Sequence, residues 1–178
     1  MKKIGFLGLG VMGLPMAKNV IKGTKQAIMG FDVAQNRLDE LKEAGGIPVK
    51  DPDEIYRSCD IIMQMLPTHA TIIHSVERAI ELGKPGNIII DCSSTAPDII
   101  QELYAKTKAA GMTLLDSPVS GGNPMAIAGT LAIMTGGDKE AFDEVLPILE
   151  SMGKPVYTGK SGSGDVTKLV NNMIAGNM

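Results

Sequence analysis

Ile4-Gly5-Phe6-Leu7-Gly8-Leu9-Gly10-Val11-Met12-Gly13 joins an apolar run to a G-x-G-x-x-G turn. Lys2 and Lys3 precede it, Leu14 to Ile21 behind it reads as a helix, and a second apolar segment, Ala27 to Phe31, ends at Asp32. Strand, glycine turn, helix, strand and acid, in that order, form the fingerprint of a dinucleotide-binding unit. Gly8 permits the tight turn. Gly10 lets backbone approach a pyrophosphate, and Gly13 lets the helix pack on the strand. The helix N-terminus offers N–H groups and the positive end of its dipole. A carboxylate at Asp32 accepts from a ribose 2′-OH and repels a 2′-phosphate, which favours NAD over NADP. Asn36 and Arg37 follow closely and keep a 2′-phosphate contact open. Gly8, Leu9, Gly10, Val11, Met12, Gly13 and Asp32 are therefore candidate cofactor-binding residues.

The rest of the chain continues the alternation. Ala34 to Ala44 reads as a helix ended by Gly45-Gly46, and Asp51-Pro52-Asp53 starts a short helical turn. Asp60 to Leu66 reads as a buried strand stopped by Pro67, and Thr68 to Leu82 as a helix closed by Gly83. Asn87 to Asp91 is the next strand, Pro97 opens a helix to about Ala110, and Met112 to Asp116 is a further strand. Strands alternating with helices over short connections predict an α/β, doubly wound and mostly parallel sheet. Ligands of such sheets bind beyond the carboxyl ends of the strands. The loops starting at Gly8, Leu66, Cys92 and Asp116 should then share one rim.

The second half changes character. Ser117 to Gly129 is rich in Gly, Pro, Ser and Ala. Thr130 to Thr135 reads as a strand, Asp138 as the cap of a helix reaching Met152, and Pro155 to Tyr157 as a short strand. Gly159 to Gly164 reads as a flexible connector. A last helix is expected from about Asp165 and still running at Met178. Val166, Leu169, Val170, Met173 and Ile174 follow its apolar stripe, with Lys168, Asn171 and Asn172 opposite. Periodicity alone makes that polar face an ordinary solvated one.

Composition narrows the classes. The 178 residues are enough for one large domain, or one domain and part of another. A net charge of −3 gives no electrostatic case for nucleic acid or an anionic membrane, and 3% aromatics argue against a base-stacking surface. Two cysteines, Cys59 and Cys92, are too few for a disulfide framework and read as small core residues. His69 and His74 are poorly placed to share a helical face, and no metal is assigned. No signal-peptide pattern opens the chain and no apolar run approaches ~18 residues, so a cytoplasmic protein is expected.

Five segments together resemble the β-hydroxyacid dehydrogenase family, the group of 3-hydroxyisobutyrate dehydrogenase and tartronate semialdehyde reductase. Gly5 to Ala17 resembles its opening, Met65-Leu66-Pro67 its fourth-strand loop, and Asp91-Cys92-Ser93-Ser94 its D-x-S-T segment. Asp116-Ser117-Pro118-Val119-Ser120-Gly121-Gly122 resembles its substrate loop. Gly162-Ser163-Gly164 with Lys168 and Asn172 resembles its G-x-G-x-x-x-K-x-x-x-N helix.

The resemblance implies a Rossmann-like cofactor domain over 1–161, with 162–178 beginning an interdomain helix. It implies that the chain is a fragment, since family members continue into an all-helical C-terminal domain. It makes Lys168 the catalytic acid/base and Asn172, Ser120, Gly121 and Gly122 substrate-binding. It adds Leu66, Pro67, Thr71 and Ser94 to the cofactor contacts. The implied reaction is hydride transfer between NAD and a small-molecule 3-hydroxyacid or its semialdehyde, by a homo-oligomer at full length.

Departures are Ser94 for the usual Thr, Thr71 for a frequent Asn, D-S-P at Asp116 for D-A-P, and Asp165 for an uncharged residue. They leave the substrate unnamed. Two further readings stay open, an NADP-dependent semialdehyde or imine reductase and a non-catalytic dinucleotide-binding scaffold. Asp32 weighs against the first and Lys168 against the second.

Overall fold

The computed structural model describes residues 2–175. A βαβ unit opens the fold: β1 (Ile4–Leu7), α1 (Gly13–Thr24) and β2 (Met29–Phe31). Then follow α2 (Gln35–Glu43), β3 (Ile47–Pro48), α3 (Asp53–Ser58), β4 (Ile61–Gln64), α4 (His69–Leu82), β5 (Ile88–Asp91), α5 (Pro97–Ala109) and β6 (Thr113–Asp116). These six strands lie in the order β3-β2-β1-β4-β5-β6, all parallel. That is the dinucleotide-fold order, with its crossover beside β1. The expected doubly wound sheet is therefore present.

Beyond β6 come β7 (Val119–Ser120), α6 (Gly122–Ala128), β8 (Leu131–Gly136), α7 (Lys139–Glu150), β9 (Gly153–Gly159) and α8 (Ser163–Ala175). β8 runs antiparallel to both β6 and β7, and parallel to β9.

Alternation along the strands splits the core in two. Ile4 and Phe6, Ile61 and Met63, and Ile88 and Ile90 point to one face, beneath α1 and α7. Leu7, Ile62, Ile89 and Leu114 point to the other, beneath α3, α4 and α5. Strands covered on both faces read as unbroken apolar runs, which is what Ile61–Met63 and Ile88–Ile90 are. Each fully buried side chain of this size contributes ~1.5–3 kcal/mol.

The structure completes one reading of the second half and corrects four. Ser117 to Gly129 contains a two-residue strand and the helix α6. Gly121-Gly122 and Pro124 look like loop chemistry, but Asn19 Nδ2 donates to Ala126 O at 2.7 Å and holds α6 against α1. Asp138 makes no side-chain cap on α7; its carboxylate accepts instead from Tyr104 Oη and, at 2.8 Å, from Lys108 Nζ. The strand expected at Pro155 to Tyr157 spans Gly153–Gly159, paired along β8. The connector Gly159 to Gly164 is not loose, because Gly162 N and Gly164 N both donate to the Asp116 carboxylate. The last helix starts at Ser163 rather than near Asp165; its expected run to Met178 passes outside the described residues. Cys59 and Cys92 are buried free thiols, as expected, and burial pushes the Cys59 thiol up to about 11.

Candidate functional site

The strand register builds the rim. Leu7 pairs Gln64, Gln64 pairs Asp91, and Asp91 pairs Asp116, so the last residues of four strands form one row. The loops after them leave together.

At the β1 end, the glycine turn has the geometry its sequence asks for. Gly8 has φ +85°, and a Cβ there would lie 2.3 Å from Met65 O. A Cβ on Gly13 would lie 1.9 Å from Gly8 O. Nothing lies within 4 Å of a Cβ on Gly10, so that glycine is demanded by no protein neighbour and leaves space at the turn. No side chain caps the first turn of α1, where Leu14 N donates to Gly10 O at 3.1 Å and Pro15 has no N–H, so a ligand meets the turn ahead of them. Asp32, at the tip of β2, accepts from Leu9 N at 2.7 Å through Oδ2 and from Ala34 N at 2.8 Å through Oδ1. Two backbone donors thus aim this carboxylate at the turn. A cavity of about 840 Å³ runs from Gly8–Gly13 and Asp32 to Leu66, Pro67 and Thr71. These features fit a dinucleotide: a turn for the pyrophosphate, an oriented acid for the ribose and a mostly apolar chamber for the base.

Thr68 and Thr71 cap α4 reciprocally, with Thr71 N donating to Thr68 Oγ1 at 3.2 Å and Thr68 N to Thr71 Oγ1 at 3.2 Å. Ser94 is exposed beyond β5 and is not among the residues lining the cavity. Its neighbour Ser93 is buried and accepts from Leu66 N at 2.9 Å, fixing the β4 loop to the β5 loop.

At the β6 end, three carboxyls are buried: Asp91, Asp116 and Asp165. Asp116 accepts from Gly162 N at 2.9 Å, Gly164 N at 2.8 Å and Asp165 N at 3.2 Å. That convergence explains the ordered connector and anchors α8. Asp165 Oδ1 accepts from Thr95 N at 2.9 Å, while its Oδ2 is buried with no partner among the described residues. Burial, opposed by the Thr95 N–H and reinforced by Asp116 and Asp91, pushes the Asp165 carboxyl up to about 7. Burial also raises Asp91 and Asp116, against the hydrogen bonds each accepts.

α8 turns its stripes the opposite way from an ordinary surface helix. Val166, Leu169, Val170 and Ile174 are 48–60% exposed, whereas Lys168 and Asn171 are half-buried. Burial lowers the Lys168 pKa from the usual lysine range. Asn171 Nδ2 donates to Ser120 Oγ at 3.0 Å; Asn172 is exposed. Gly121 and Gly122, at φ +133° and +67°, follow Ser120 directly. Asn123 Nδ2 donates to Val11 O at 2.6 Å, joining this loop to the glycine turn. Asn123 was not singled out from sequence and Asn171 was read only as part of a polar helix face, because the acceptors each side chain reaches lie far away in the chain. Among the described residues, no cluster of His, Cys, Asp and Glu is placed to hold a metal.

Residues 3–162 match the model of the NAD binding domain of 6-phosphogluconate dehydrogenase. The chain belongs to that family. Its superfamily includes 3-hydroxyisobutyrate dehydrogenases. Over 98% of its length the chain is 37% identical to a probable mitochondrial 3-hydroxyisobutyrate dehydrogenase of Dictyostelium discoideum, covering 56% of that protein. It is 35% identical over 178 residues to an NAD-dependent L-serine dehydrogenase of Pseudomonas aeruginosa, covering 98% of this chain and 59% of the relative. The solved Mycobacterium tuberculosis 3-hydroxyisobutyrate dehydrogenase with L-serine superposes with a TM-score of 0.93 at 34% identity, over 98% of this chain and 60% of that one. The chain thus spans under two thirds of these relatives' length.

Proposed function

We propose that this chain is the cofactor domain of an NAD-dependent dehydrogenase acting on a 3-hydroxyacid or its semialdehyde. Lys168 is the acid/base of that reaction. The observation that carries the reading is the placing of Lys168: it is half-buried on the same face of α8 as Asn171, whose amide holds Ser120 of the loop after β6 at 3.0 Å.

Gly8–Gly13 would hold the pyrophosphate, Asp32 the adenosine ribose, and Leu66, Pro67 and Thr71 the chamber wall. Ser94 belongs to the same rim. The nicotinamide, when bound, takes or gives the hydride. The rest falls to the chain. Ser120 and the N–H groups of Gly121 and Gly122 orient the substrate carboxylate, and Asn172, which is exposed, takes a second polar group. Lys168 Nζ removes the hydroxyl proton in oxidation and returns it in reduction. Burial favours its neutral form, which brings a lysine nearer to the working range of a base. NAD is preferred over NADP because Asp32 stands at the ribose. Arg37, the nearest candidate for a 2′-phosphate, is already paired to Glu40 at 3.0 Å.

Calorimetric titration of this chain with NAD and with NADP tests the cofactor half. NAD binding with much weaker NADP binding is expected, and binding of neither overturns the reading. In the full-length enzyme, 3-hydroxyisobutyrate and L-serine are the substrates to assay first. Lys168→Ala should slow turnover about 10²–10⁴-fold, and unchanged turnover would remove the lysine from its role.

A further inference from the structure

We infer that Asn123 is a positioning residue, coupling the cofactor turn to the substrate loop and, through that loop, to the helix carrying Lys168. The inference rests on the proposed function for the identity of the two sites. The coupling itself is read from side-chain geometry.

Asn123 is half-buried and sits at the start of α6, immediately after Gly121 and Gly122. Its Nδ2 donates to Val11 O at 2.6 Å, across 112 positions of sequence. Val11 is the central residue of the glycine turn. Its carbonyl and the Met12 N–H belong to one planar trans peptide and point in opposite directions. Holding the Val11 carbonyl therefore aims the Met12 N–H, one of the donors a pyrophosphate meets at this helix start. A phosphate drawing on that N–H turns the same peptide, and the Asn123 amide follows.

Three features make the neighbouring chain respond as a unit. Asn19 Nδ2 pins the far end of α6 through Ala126 O at 2.7 Å, so α6 cannot absorb the movement by rotating freely. Gly121 has a φ of +133°, and a Cβ there would fall 2.5 Å from Met125 Sδ, so the loop passes close against α6. Ser120 Oγ accepts from Asn171 Nδ2 at 3.0 Å, one helical turn from Lys168. Ser120 to Asn123 is thus a four-residue strap, tied at one end to the cofactor turn and at the other to α8.

The test is ¹H–¹⁵N NMR of this chain titrated with ADP-ribose, which carries the pyrophosphate but no nicotinamide and so cannot reach the substrate loop by that ring. In the wild type, amides of Gly8–Gly13 and of Ser120–Gly122 should both shift. In Asn123→Ala, and in Asn123→Asp, which keeps the shape but cannot donate, the turn amides should still shift while Ser120–Gly122 stay still. Affinity should weaken about two- to tenfold. Loop shifts that persist in both variants, or that are missing in a wild type whose turn responds, overturn the inference. A wild type whose turn amides do not move fails the cofactor reading instead, and the inference falls with it.

Discussion

The side-chain amide of Asn171 reaches Ser120, Nδ2 to Oγ at 3.0 Å, while Asn172 one position on stands exposed. A 100° step around the helix separates a residue that holds the loop from one that is exposed. Asn171→Ala should cost about 0.5–1.5 kcal/mol of stability, and Asn172→Ala less than about 0.5 kcal/mol. Urea unfolding of the two variants measures the difference; equal losses would contradict the assignment of the loop contact to Asn171.

Gly8 and Gly10 are two positions apart and should answer to opposite assays. Gly8→Ala meets both the φ of +85° and the Met65 carbonyl, and should lose about 2–5 kcal/mol. Gly10→Ala enters open space. It should keep its stability within about 0.5 kcal/mol while NAD affinity drops, because the new methyl occupies the ligand's approach. Thermal unfolding and calorimetry on both variants separate the two causes, and a Gly10→Ala protein that binds NAD normally would refute the second.

Asp165 predicts a pH dependence of stability. Its carboxyl is raised from 3.8 to about 7 by burial, so the folded state binds the proton more tightly than the unfolded one. Stability from this group is fully present below the unfolded value and is lost as pH rises through the folded one. Between pH 5 and pH 8 the wild type should become less stable. Asp165→Asn keeps an acceptor for Thr95 N without titrating, and should make that slope shallower. Asp91 and Asp116, also raised, act in the same direction. Denaturant midpoints at several pH values decide it; a parallel slope in the variant would contradict the role of Asp165.

Leu169 and Ile90 are both apolar but play different parts. Leu169 is 50% exposed on α8, whereas Ile90 is fully buried in β5. Leu169→Ser should change stability by less than about 0.5 kcal/mol, and Ile90→Ala should cost about 2–5 kcal/mol. Thermal unfolding compares them. A large loss at Leu169 would show that α8 presents its apolar stripe to something within the domain.

Much of this is legible in the sequence. The turn from Gly8 to Gly13, the apolar strands Ile61–Met63 and Ile88–Ile90, and the helices between them carry period and punctuation strong enough to read locally. The placing of Leu7, Gln64, Asp91 and Asp116 in one row follows from the parallel order those elements imply. Less was legible beyond Asp116. α6 hides behind Gly121, Gly122 and Pro124, because its support comes from Asn19 on another helix. β3 is two residues long, too short for any period. Asp138 has the chemistry of a cap, but Lys108 and Tyr104 compete for its carboxylate from α5.

The sequence by itself determined the doubly wound sheet, the glycine turn, the acid at the end of β2 and the family to which the chain belongs. Each of these rests on residues close together in the chain, or on a repeated alternation that only one architecture satisfies. Only the tertiary structure decided which way α8 faces, that Asp116 gathers three backbone N–H groups at its start, and that Asn123 and Asn171 tie one loop to two sites. The reason is physical. An amphipathic stripe fixes that a helix has two faces but not which one meets the protein, and a single side-chain amide selects its acceptor only when folding brings distant backbone within about 3 Å.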